Sequence, residues 1–311
     1  MYLVTGGAGF IGSNIVRRLA ADGEKVRVLD DFSTGKRENL EGVSGLELVE
    51  GSLVDQAGVR KALKDIKYVL HQGAIPSVPR SVDDPLRSNE ANITGTLNLL
   101  VEAKEAGVKR LVFAASSSAY GDTEVLPKEE GAPADPLSPY AVGKYTGELY
   151  AKVFSSIYRL PTVSLRYFNI FGPYQDPASE YAAVIPKFIQ LMLKGDRPTI
   201  YGDGEQSRDF TYIDNAVEAN LLACRSEKVG SGEVINIACG ERYSLNDLVR
   251  ALNEIMGTAL EPLYSAARPG DVKHSLADIA RARELLGYKM QVGFMEGLKK
   301  TIEWFRERAD D

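Results

Sequence analysis

The stretch Thr5-Gly6-Gly7-Ala8-Gly9-Phe10-Ile11-Gly12 decides the fold of this chain. It follows the apolar run Tyr2–Thr5 and opens the amphipathic segment Ile11–Ala21, so it joins a predicted strand to a predicted helix. Its glycines allow a tight turn and a close approach of the backbone to a pyrophosphate, and the helix amino terminus adds free N–H groups and a positive dipole end. With a strand before it and a helix after it, this pattern predicts a dinucleotide-binding turn.

Strand-like and helix-like segments alternate through the first half of the chain. Near-continuous Val, Leu and Ile strands between amphipathic helices predict a parallel sheet covered on both faces. The strand-like runs are Tyr2–Thr5, Lys25–Leu29, Leu46–Val49, Tyr68–Leu70, Arg110–Ala114 and Thr162–Leu165, and the helix-like segments are Ile11–Ala21, Val54–Leu63, Asn89–Glu105 and Pro139–Arg159. The second half is richer in turns and predicts a smaller lobe, with helices at Ile185–Lys194, Asn215–Ala223, Leu245–Ile255, Ala277–Leu286 and Phe294–Arg308 and a strand at Val234–Ile237.

The second predicted strand leads into Asp30, about 20 residues after the glycines, which is where dinucleotide-binding folds carry an acidic residue. A carboxylate there suits the ribose hydroxyls of an NAD-type cofactor and would repel a 2′-phosphate. The sequence therefore favours NAD over NADP.

Tyr140 and Lys144 stand four residues apart in a segment that begins with Ser138 as helix cap and Pro139 at the first helical position. The spacing places both side chains on one face of the helix, one turn apart. We expect the ammonium to lower the phenol pKa from about 10 toward neutrality, so that the tyrosine can act as a general base. Taken alone, the spacing also fits two unrelated helix-surface residues.

Composition narrows the class of protein. The 311 residues carry a formal net charge of -6 and no basic run, so we expect no nucleic-acid partner and no binding to anionic membranes. No apolar stretch approaches the roughly 20 residues needed to span a bilayer, and we expect no signal peptide. Cys224 and Cys239 predict free thiols in a cytoplasmic protein. Two histidines are too few for a His-based metal site, so we expect no metal.

The Gly-x-x-Gly-x-x-Gly turn, together with Tyr140-x-x-x-Lys144, resembles the extended short-chain dehydrogenase/reductase family. Within it the chain resembles the UDP-sugar 4-epimerases nearly end to end, especially the branch acting on UDP-N-acetylglucosamine and UDP-glucose. The motifs that carry this likeness are Asp30-Asp-Phe-Ser-Thr-Gly35, His71-Gln-Gly-Ala74, Ser116-Ser-Ser-Ala-Tyr-Gly121, Leu165-Arg-Tyr-Phe-Asn169, Ser207-Arg-Asp-Phe210 and Arg268-Pro-Gly-Asp271. The resemblance implies a Rossmann-type doubly wound α/β sheet with a smaller C-terminal α/β substrate lobe.

The same resemblance implies a domain division and site roles. Residues 1–168 would bind NAD, part of 209–240 would return to that domain, and 169–208 with 241–311 would form the substrate lobe. The implied catalytic residues are Tyr140, Lys144 and Ser116. The implied NAD-binding residues are Gly6, Gly9, Phe10, Ile11, Gly12, Asp30, Asp31, Ser33, Thr34, Gly35, Ser52, Leu53, Gln72, Gly73, Ala74, Asn92, Ser116, Tyr140, Lys144 and Tyr167. The implied substrate-binding residues are Arg80, Ser117, Ser118, Asn169, Ala183, Val184, Tyr201, Arg208, Arg268, Asp271 and Ser275.

One departure from the family is visible, because Ser52-Leu53 stands where the family often has an Asp before Ile or Leu near the adenine. A serine hydroxyl can still accept a hydrogen bond from the adenine amino group.

The implied reaction is inversion at C4 of a UDP-hexose through a transient 4-keto sugar. Ser117-Ser118 stands where dehydratases of this fold carry an Asp-Glu pair, so dehydration and decarboxylation lose support. Ser275 falls at the position where a tyrosine would restrict the pocket to glucose and galactose, so the resemblance implies UDP-N-acetylhexosamines as substrates, with non-acetylated sugars also possible. A UDP-glucuronate 4-epimerase and a catalytically silent NAD-binding module stay open. The resemblance also implies a homodimer.

Overall fold

The computed structural model describes residues 1–177, 183–267 and 272–309. The first half alternates strands and helices. In chain order these are β1 Tyr2–Thr5, α1 Phe10–Ala21, β2 Val26–Asp30, β3 Leu46–Glu50, α2 Gln56–Ala62, β4 Tyr68–His71, α3 Val78–Asp83, α4 Pro85–Asn89, α5 Gly95–Glu105, β5 Arg110–Ser116, α6 Pro139–Tyr158 and β6 Thr162–Tyr167. A π-helical stretch, Glu90–Thr94, joins α4 to α5, and 3-10 turns cover Arg37–Leu40 and Ser117–Tyr120.

The second half contains shorter strands. In chain order its elements are β7 Ile170–Phe171, α7 Val184–Leu193, β8 Thr199–Tyr201, β9 Ser207–Arg208, β10 Thr211–Tyr212, α8 Ile213–Arg225, β11 Ser231–Ile237, β12 Tyr243–Ser244, α9 Leu245–Met256, β13 Leu263–Ser265, α10 Ala280–Leu286 and α11 Phe294–Ala309. Three strand pairs, β7 with β10, β9 with β12, and β8 with β13, stand apart from the main sheet.

The main sheet has seven strands in the order β11-β6-β5-β4-β1-β2-β3, and every pairing in it is parallel. The chain winds outward from β1 in one direction to β3 and then in the other direction from β4 to β11. This is the doubly wound topology expected from the sequence. The reversal lies between β1 and β4, and in such sheets ligands bind beyond the carboxyl ends of the strands at that point.

Both faces of the sheet are covered, because successive strand residues point to opposite sides. Leu3 belongs to an apolar cluster that includes Leu99 and Leu100 of α5, whereas Val4 belongs to a second cluster with Ile15 of α1. The second cluster continues into the C-terminal half of the chain through α7, α9 and α11. The seventh strand, β11, comes from residues that follow α8, so the chain returns to the sheet after crossing the smaller lobe.

In the described residues, no helix is both long enough and apolar enough to cross a bilayer.

Candidate active site

The glycine turn after β1 is built for close backbone contact. Gly6 has a φ of +64°, and its N–H donates to the carbonyl of Leu29 at 2.8 Å. A Cβ added at Gly12 would lie 2.1 Å from the Gly6 carbonyl oxygen, and one added at Gly6 would lie 2.6 Å from the Cα of Gly73. Only glycine fits these positions, so the amino terminus of α1 stays open to a ligand on one side.

Asp30 ends β2 beside this turn. Its Oδ2 accepts from the Ala8 N–H at 2.8 Å and its Oδ1 from the Phe32 N–H at 2.8 Å. Burial raises the pKa of the carboxyl group, while the two backbone donors lower it. Each carboxylate oxygen keeps a further lone pair, which suits the ribose hydroxyls predicted for this position.

A cavity of about 580 Å³ opens at the carboxyl ends of β1, β2 and β4, where the strand order reverses. Most of the predicted NAD-binding residues line it. They are Gly6, Gly9, Phe10, Ile11, Gly12, Asp30, Asp31, Ser33, Thr34, Gly35, Ser52, Leu53, Gln72, Gly73, Ala74, Tyr140, Lys144 and Tyr167. The size and the glycine turn together fit an extended dinucleotide.

Asn92 lies behind the cavity wall. Its Oδ1 accepts from the Ile75 N–H at 2.8 Å, and its Nδ2 donates to the Ile75 carbonyl at 3.0 Å. It sits on the π-helical stretch and is almost fully buried. Asn92 therefore holds a cavity-lining segment in place, and its direct contact with NAD stays a prediction.

A buried hydrogen-bond chain ties β4 to the glycine turn. The ring of His71 bonds the Thr5 hydroxyl through Nδ1 at 2.7 Å and the Thr96 hydroxyl through Nε2 at 3.0 Å. Thr96 donates to the Asn92 carbonyl, so its oxygen accepts from a protonated Nε2, and the neutral ring accepts from Thr5 at Nδ1. Burial, with a smaller contribution from Lys144, lowers the pKa of His71 to about 3, so the ring stays neutral.

Tyr140 and Lys144 both reach the cavity from the first turns of α6. The neighbouring Ser116 hydroxyl lowers the pKa of the Tyr140 phenol, but burial raises that pKa by more. The Lys144 ammonium donates to the Ala114 carbonyl at 2.8 Å, and burial lowers its pKa to about 8. The expected fall in the Tyr140 pKa is therefore wrong for this structure, because burial outweighs the neighbouring groups.

Three consecutive serines stand where β5 ends and the 3-10 turn begins, and two of them are hydrogen-bonded to each other. Ser116 caps the 3-10 turn by accepting from the Ser118 N–H at 3.2 Å, and it also accepts from the Ser118 hydroxyl at 2.9 Å. With both contacts made as an acceptor, the hydrogen of Ser116 is free to donate to Tyr140. Ser117 lies in the same turn, half-buried.

On the substrate side, Asn169 and Ser275 contact each other. Asn169 has a φ of +38°, and its Nδ2 donates to the Ser275 hydroxyl at 3.1 Å. Ser275 is 6% exposed and also accepts from the Asp209 N–H at 3.4 Å. The Asp209 carboxylate accepts from the N–H groups of Cys239, Gly240 and Ala277, although burial raises its pKa to about 7. Two predicted substrate residues, Asn169 and Ser275, thus contact each other, and Ser275 is also hydrogen-bonded to the buried residue Asp209.

The other predicted substrate residues are more scattered. Ala183 lines the cavity and Val184 begins α7 beside it. Arg208 donates to the carbonyls of Ser207 and Lys273, and Tyr201 ends β8, where β13 pairs with it. Arg80 lines the cavity and a smaller adjoining recess together with Ser33 and Thr34, which places it at the cofactor end. Arg268 and Asp271 lie outside the described residues.

Several residues that line the cavity were not predicted from the sequence, among them residues of the loop after β7 and of α11. Tyr174, Gln175, Asp176 and Trp304 all line the cavity. The Lys36 ammonium pairs with the Asp176 carboxylate at 3.0 Å, and the Tyr174 and Trp304 ring centroids lie 5.1 Å apart. The loop begins with the turn sequence Phe171-Gly-Pro, but nothing local in the sequence points from it to the cavity.

A doubly wound sheet with a glycine turn at its switch point, and a tyrosine–lysine pair on the same cavity, defines an extended short-chain dehydrogenase/reductase. The chain belongs to the NAD dependent epimerase/dehydratase family, whose sequence model matches residues 2–238. The predicted family and fold are confirmed.

Relatives cover nearly the whole chain. A UDP-glucose 4-epimerase of Mycolicibacterium smegmatis is 39% identical over 313 residues, covering 99% of both chains. The solved UDP-N-acetylglucosamine 4-epimerase of Methanobrevibacter ruminantium, in complex with UDP-N-acetylmuramic acid, matches with a TM-score of 0.94 and 44% identity over 99% of this chain and 98% of that one. The UDP-glucose 4-epimerase of Thermotoga maritima, solved with UDP-glucose, matches with a TM-score of 0.94 and 41% identity over 99% of both.

Proposed function

We propose that this protein inverts C4 of a UDP-hexose, with NAD as its resident cofactor. The observation that carries the proposal is that Tyr140 and Lys144 line the same cavity as the glycine turn and Asp30. A proton acceptor at Tyr140 would there be within reach of both a sugar hydroxyl and a hydride acceptor. The 4-epimerase names of relatives that match almost the whole chain support the same reaction.

The residues divide the chemistry among them. The glycine turn and Asp30 would hold NAD, which would supply a hydride acceptor and donor for sugar C4 and, when oxidised, a positive charge on its ring. Tyr140 takes the proton of the 4-hydroxyl, so that loss of hydride and proton together leaves a 4-keto sugar. Ser116 would donate to the Tyr140 oxygen and so stabilise the phenolate that accepts the proton in the first half-reaction, after which Tyr140 is protonated for the second.

Return of the hydride to the opposite face of the ketone completes the inversion. A pocket with few fixed contacts around the sugar lets it turn, while strong contacts to the UDP keep the ketone from escaping. Tyr140 or Ser116 then gives the proton back to the 4-oxygen. The reaction has no net redox change, because the hydride and the proton both return.

We assign the UDP contacts by position. Arg208 and Arg268 are the proposed diphosphate clamp, since a guanidinium fork matches phosphate oxygens, and Asp271 is proposed as a further substrate-binding residue. Ala183 and Val184 are proposed to approach the uracil, with Tyr201 nearby. Asn169, Ser117 and Ser118 are proposed to face the sugar.

Ser275 supports the choice of a 2-acetamido sugar. The small Ser275 hydroxyl is buried and accepts from Asn169. We propose that Ser275 faces the sugar, where a tyrosine would take the space of the acetamido group. We therefore propose UDP-N-acetylglucosamine and UDP-N-acetylgalactosamine as substrates, with UDP-glucose and UDP-galactose also turned over.

The deciding experiment incubates the protein with UDP-N-acetylglucosamine and follows the formation of UDP-N-acetylgalactosamine by NMR. UDP-glucose and UDP-glucuronate are run in parallel. Turnover of the acetylated sugar is the expected result. Turnover of UDP-glucuronate alone would identify the uronate epimerase instead, and no turnover of any sugar by the NAD-loaded protein would identify a binding module.

Substitution of Ser275 tests the sugar preference. Ser275→Tyr is expected to lower kcat/KM for the acetylated pair much more than for the glucose pair, because the ring takes the space of the acetamido group. Ser275→Ala is the matched control, since it loses the bond to Asn169 but keeps the space. A parallel fall for both pairs in Ser275→Tyr would show that this wall does not select the sugar.

We include a homodimer and a cytoplasmic location in the proposal. The sequence expectation for the location rests on the two free, buried cysteines. The support for the dimer is an exposed apolar stripe on α6, discussed below.

A further inference from the structure

A single buried hydroxyl connects the wall of the cofactor cavity to the helix that carries Tyr140. Ser81 lies in α3 and is fully buried. Its Oγ accepts from the Tyr140 N–H at 3.0 Å and donates to the Val78 carbonyl at 2.7 Å. The contact is to the backbone of Tyr140, so it acts on the position of the residue and not on its phenol.

The amino terminus of α6 shows why this contact matters. The first N–H groups of a helix have no partner inside it. Pro139 has no N–H, and the Ala141 N–H is capped by the Ser138 hydroxyl at 3.2 Å. The Tyr140 N–H instead takes its partner from α3. The backbone N–H of Tyr140, the proposed catalytic residue, therefore finds its acceptor outside its own helix.

The segment that contains Ser81 also forms the cavity wall. Ile75, Ser77 and Arg80 line the cavity, and the Ile75 backbone is held by Asn92 at 2.8 and 3.0 Å. Ser77 has a φ of +89°, a conformation that persists only when the surroundings hold it. The wall is therefore fixed to Asn92 at one end and to Tyr140 at the other.

We propose that Ser81 is a positioning residue, which sets the placement of Tyr140 against Ser116 and the cofactor cavity. The effect on turnover rests on the proposed function, but the hydrogen bond itself does not. A shift of about 1 Å at a reacting group can cost about 100-fold in rate. A hydroxyl that fixes the first turn of α6 therefore controls catalysis without contacting the substrate.

The test compares Ser81→Ala with Ser138→Ala, which removes a hydroxyl from the same helix terminus but breaks a bond within α6. Both variants are expected to lose a few degrees of Tm. Ser81→Ala is expected to lower kcat by about 10- to 100-fold with the KM for the UDP-sugar unchanged, whereas Ser138→Ala is expected to keep kcat near that of the parent. Equal losses of kcat in the two variants, or none in Ser81→Ala, would overturn the proposal.

Two further measurements separate positioning from general loss of structure. Hydrogen exchange of the Tyr140 amide, followed by NMR without any substrate, is expected to accelerate in Ser81→Ala and not in Ser138→Ala. An unchanged exchange rate would refute the hydrogen bond even if the parent turned over no UDP-sugar. Ser81→Cys, nearly the same size with a weaker acceptor, is expected to fold and to give a kcat between those of Ser81→Ala and the parent. A kcat for Ser81→Cys equal to that of the parent would contradict the proposal that the Ser81 hydroxyl positions Tyr140.

Discussion

In the proposed reaction, the phenol of Tyr140 loses and regains a proton in surroundings that favour its neutral form. Burial raises its pKa, and the Ser116 hydroxyl opposes that shift. Lys144, with a pKa of about 8, is still mostly protonated at pH 7 and lies one turn away on the same helix. The positive charge of oxidised NAD would also lower the phenol pKa, so we expect Tyr140 to become competent as a base when NAD is bound.

Replacing the phenol gives the most direct prediction. Tyr140→Phe should fold and keep NAD but lose epimerisation by about 100-fold or more, because a general acid–base group is removed. NMR turnover of the UDP-sugar and the absorbance of released cofactor measure the two effects. Tyr158→Phe, at the exposed far end of α6, is the control. Turnover within a few-fold of the parent would contradict the assignment of Tyr140 as the base.

The lowered pKa of Lys144 makes the free energy of unfolding depend on pH. Its pKa falls from 10.5 to about 8 on burial, so between these values the unfolded chain binds more protons than the folded one. The stability contributed by this group therefore rises with pH across that window. We expect the difference in unfolding free energy between Lys144→Met and the parent, measured in urea at several pH values, to shift in favour of the parent as pH rises from about 8 to 10.5. A difference that is independent of pH would contradict the lowered pKa.

At the scale of elements, a buried ion pair fixes α6 to β6. Arg166 donates to both carboxylate oxygens of Glu148, at 2.8 and 2.7 Å, and both side chains are almost fully buried. Arg166 also lies over the ring of Tyr120, 4.5 Å from its centroid, next to the serine turn. The pair therefore helps to set the catalytic helix against the strand and the turn that carry the other site residues.

Breaking this pair should be costly. Glu148→Ala leaves a buried guanidinium unpaired and is expected to lower the unfolding free energy by about 3–5 kcal/mol in urea titrations. The double variant Glu148→Leu/Arg166→Met should recover much of that loss, since no charge stays buried. Asp22→Ala, which breaks the exposed pair with Arg18, is the control and should cost less than about 1 kcal/mol. A loss in Glu148→Ala as small as in the control would contradict the argument.

Local sequence patterns predicted most helices and strands, but not the places where a helical segment is interrupted. The strands of the main sheet were placed within a few residues, because each is a short apolar run between clear turns. The predicted helix Asn89–Glu105 is in fact the last residue of α4, a π-helical stretch and α5, and the side chain of Asn92 in the π-helical stretch holds the Ile75 backbone. The short helix α3 was missed, because its few residues carry no helical period.

The residues at the cofactor end of the cavity were predictable from the sequence. Many of them directly follow the carboxyl ends of β1, β2 and β4, and these strand ends meet at one edge of the sheet. Tyr174 and Trp304 come from separate parts of the smaller lobe, and only tertiary packing brings them to the cavity. The Tyr140 pKa was predicted in the wrong direction, because the spacing to Lys144 is visible in the sequence and the burial of both groups is not.

At the scale of the whole molecule, α6 has two faces with different tasks. One face carries Tyr140 and Lys144 toward the cavity. The other exposes an apolar stripe at positions spaced by seven, four and four residues: Val142, Leu149, Val153 and Ile157 are 45%, 47%, 41% and 66% exposed. Leu86 of α4 is 82% exposed, whereas Leu100 of α5 is fully buried in the core of its own chain. A stripe of this kind favours pairing of helices between two copies.

The last prediction follows from that stripe. The parent is expected to be a dimer by light scattering, and Leu149→Lys/Val153→Lys is expected to be a monomer, because two charges would be buried at the helix pair. The same variant should still bind NAD, since the substituted positions lie on the face away from the cavity. Leu48→Lys, on the edge strand β3 where Leu48 is 42% exposed, is the matched control and should stay dimeric. A monomeric parent, or dissociation by Leu48→Lys alone, would show that α6 does not form the interface.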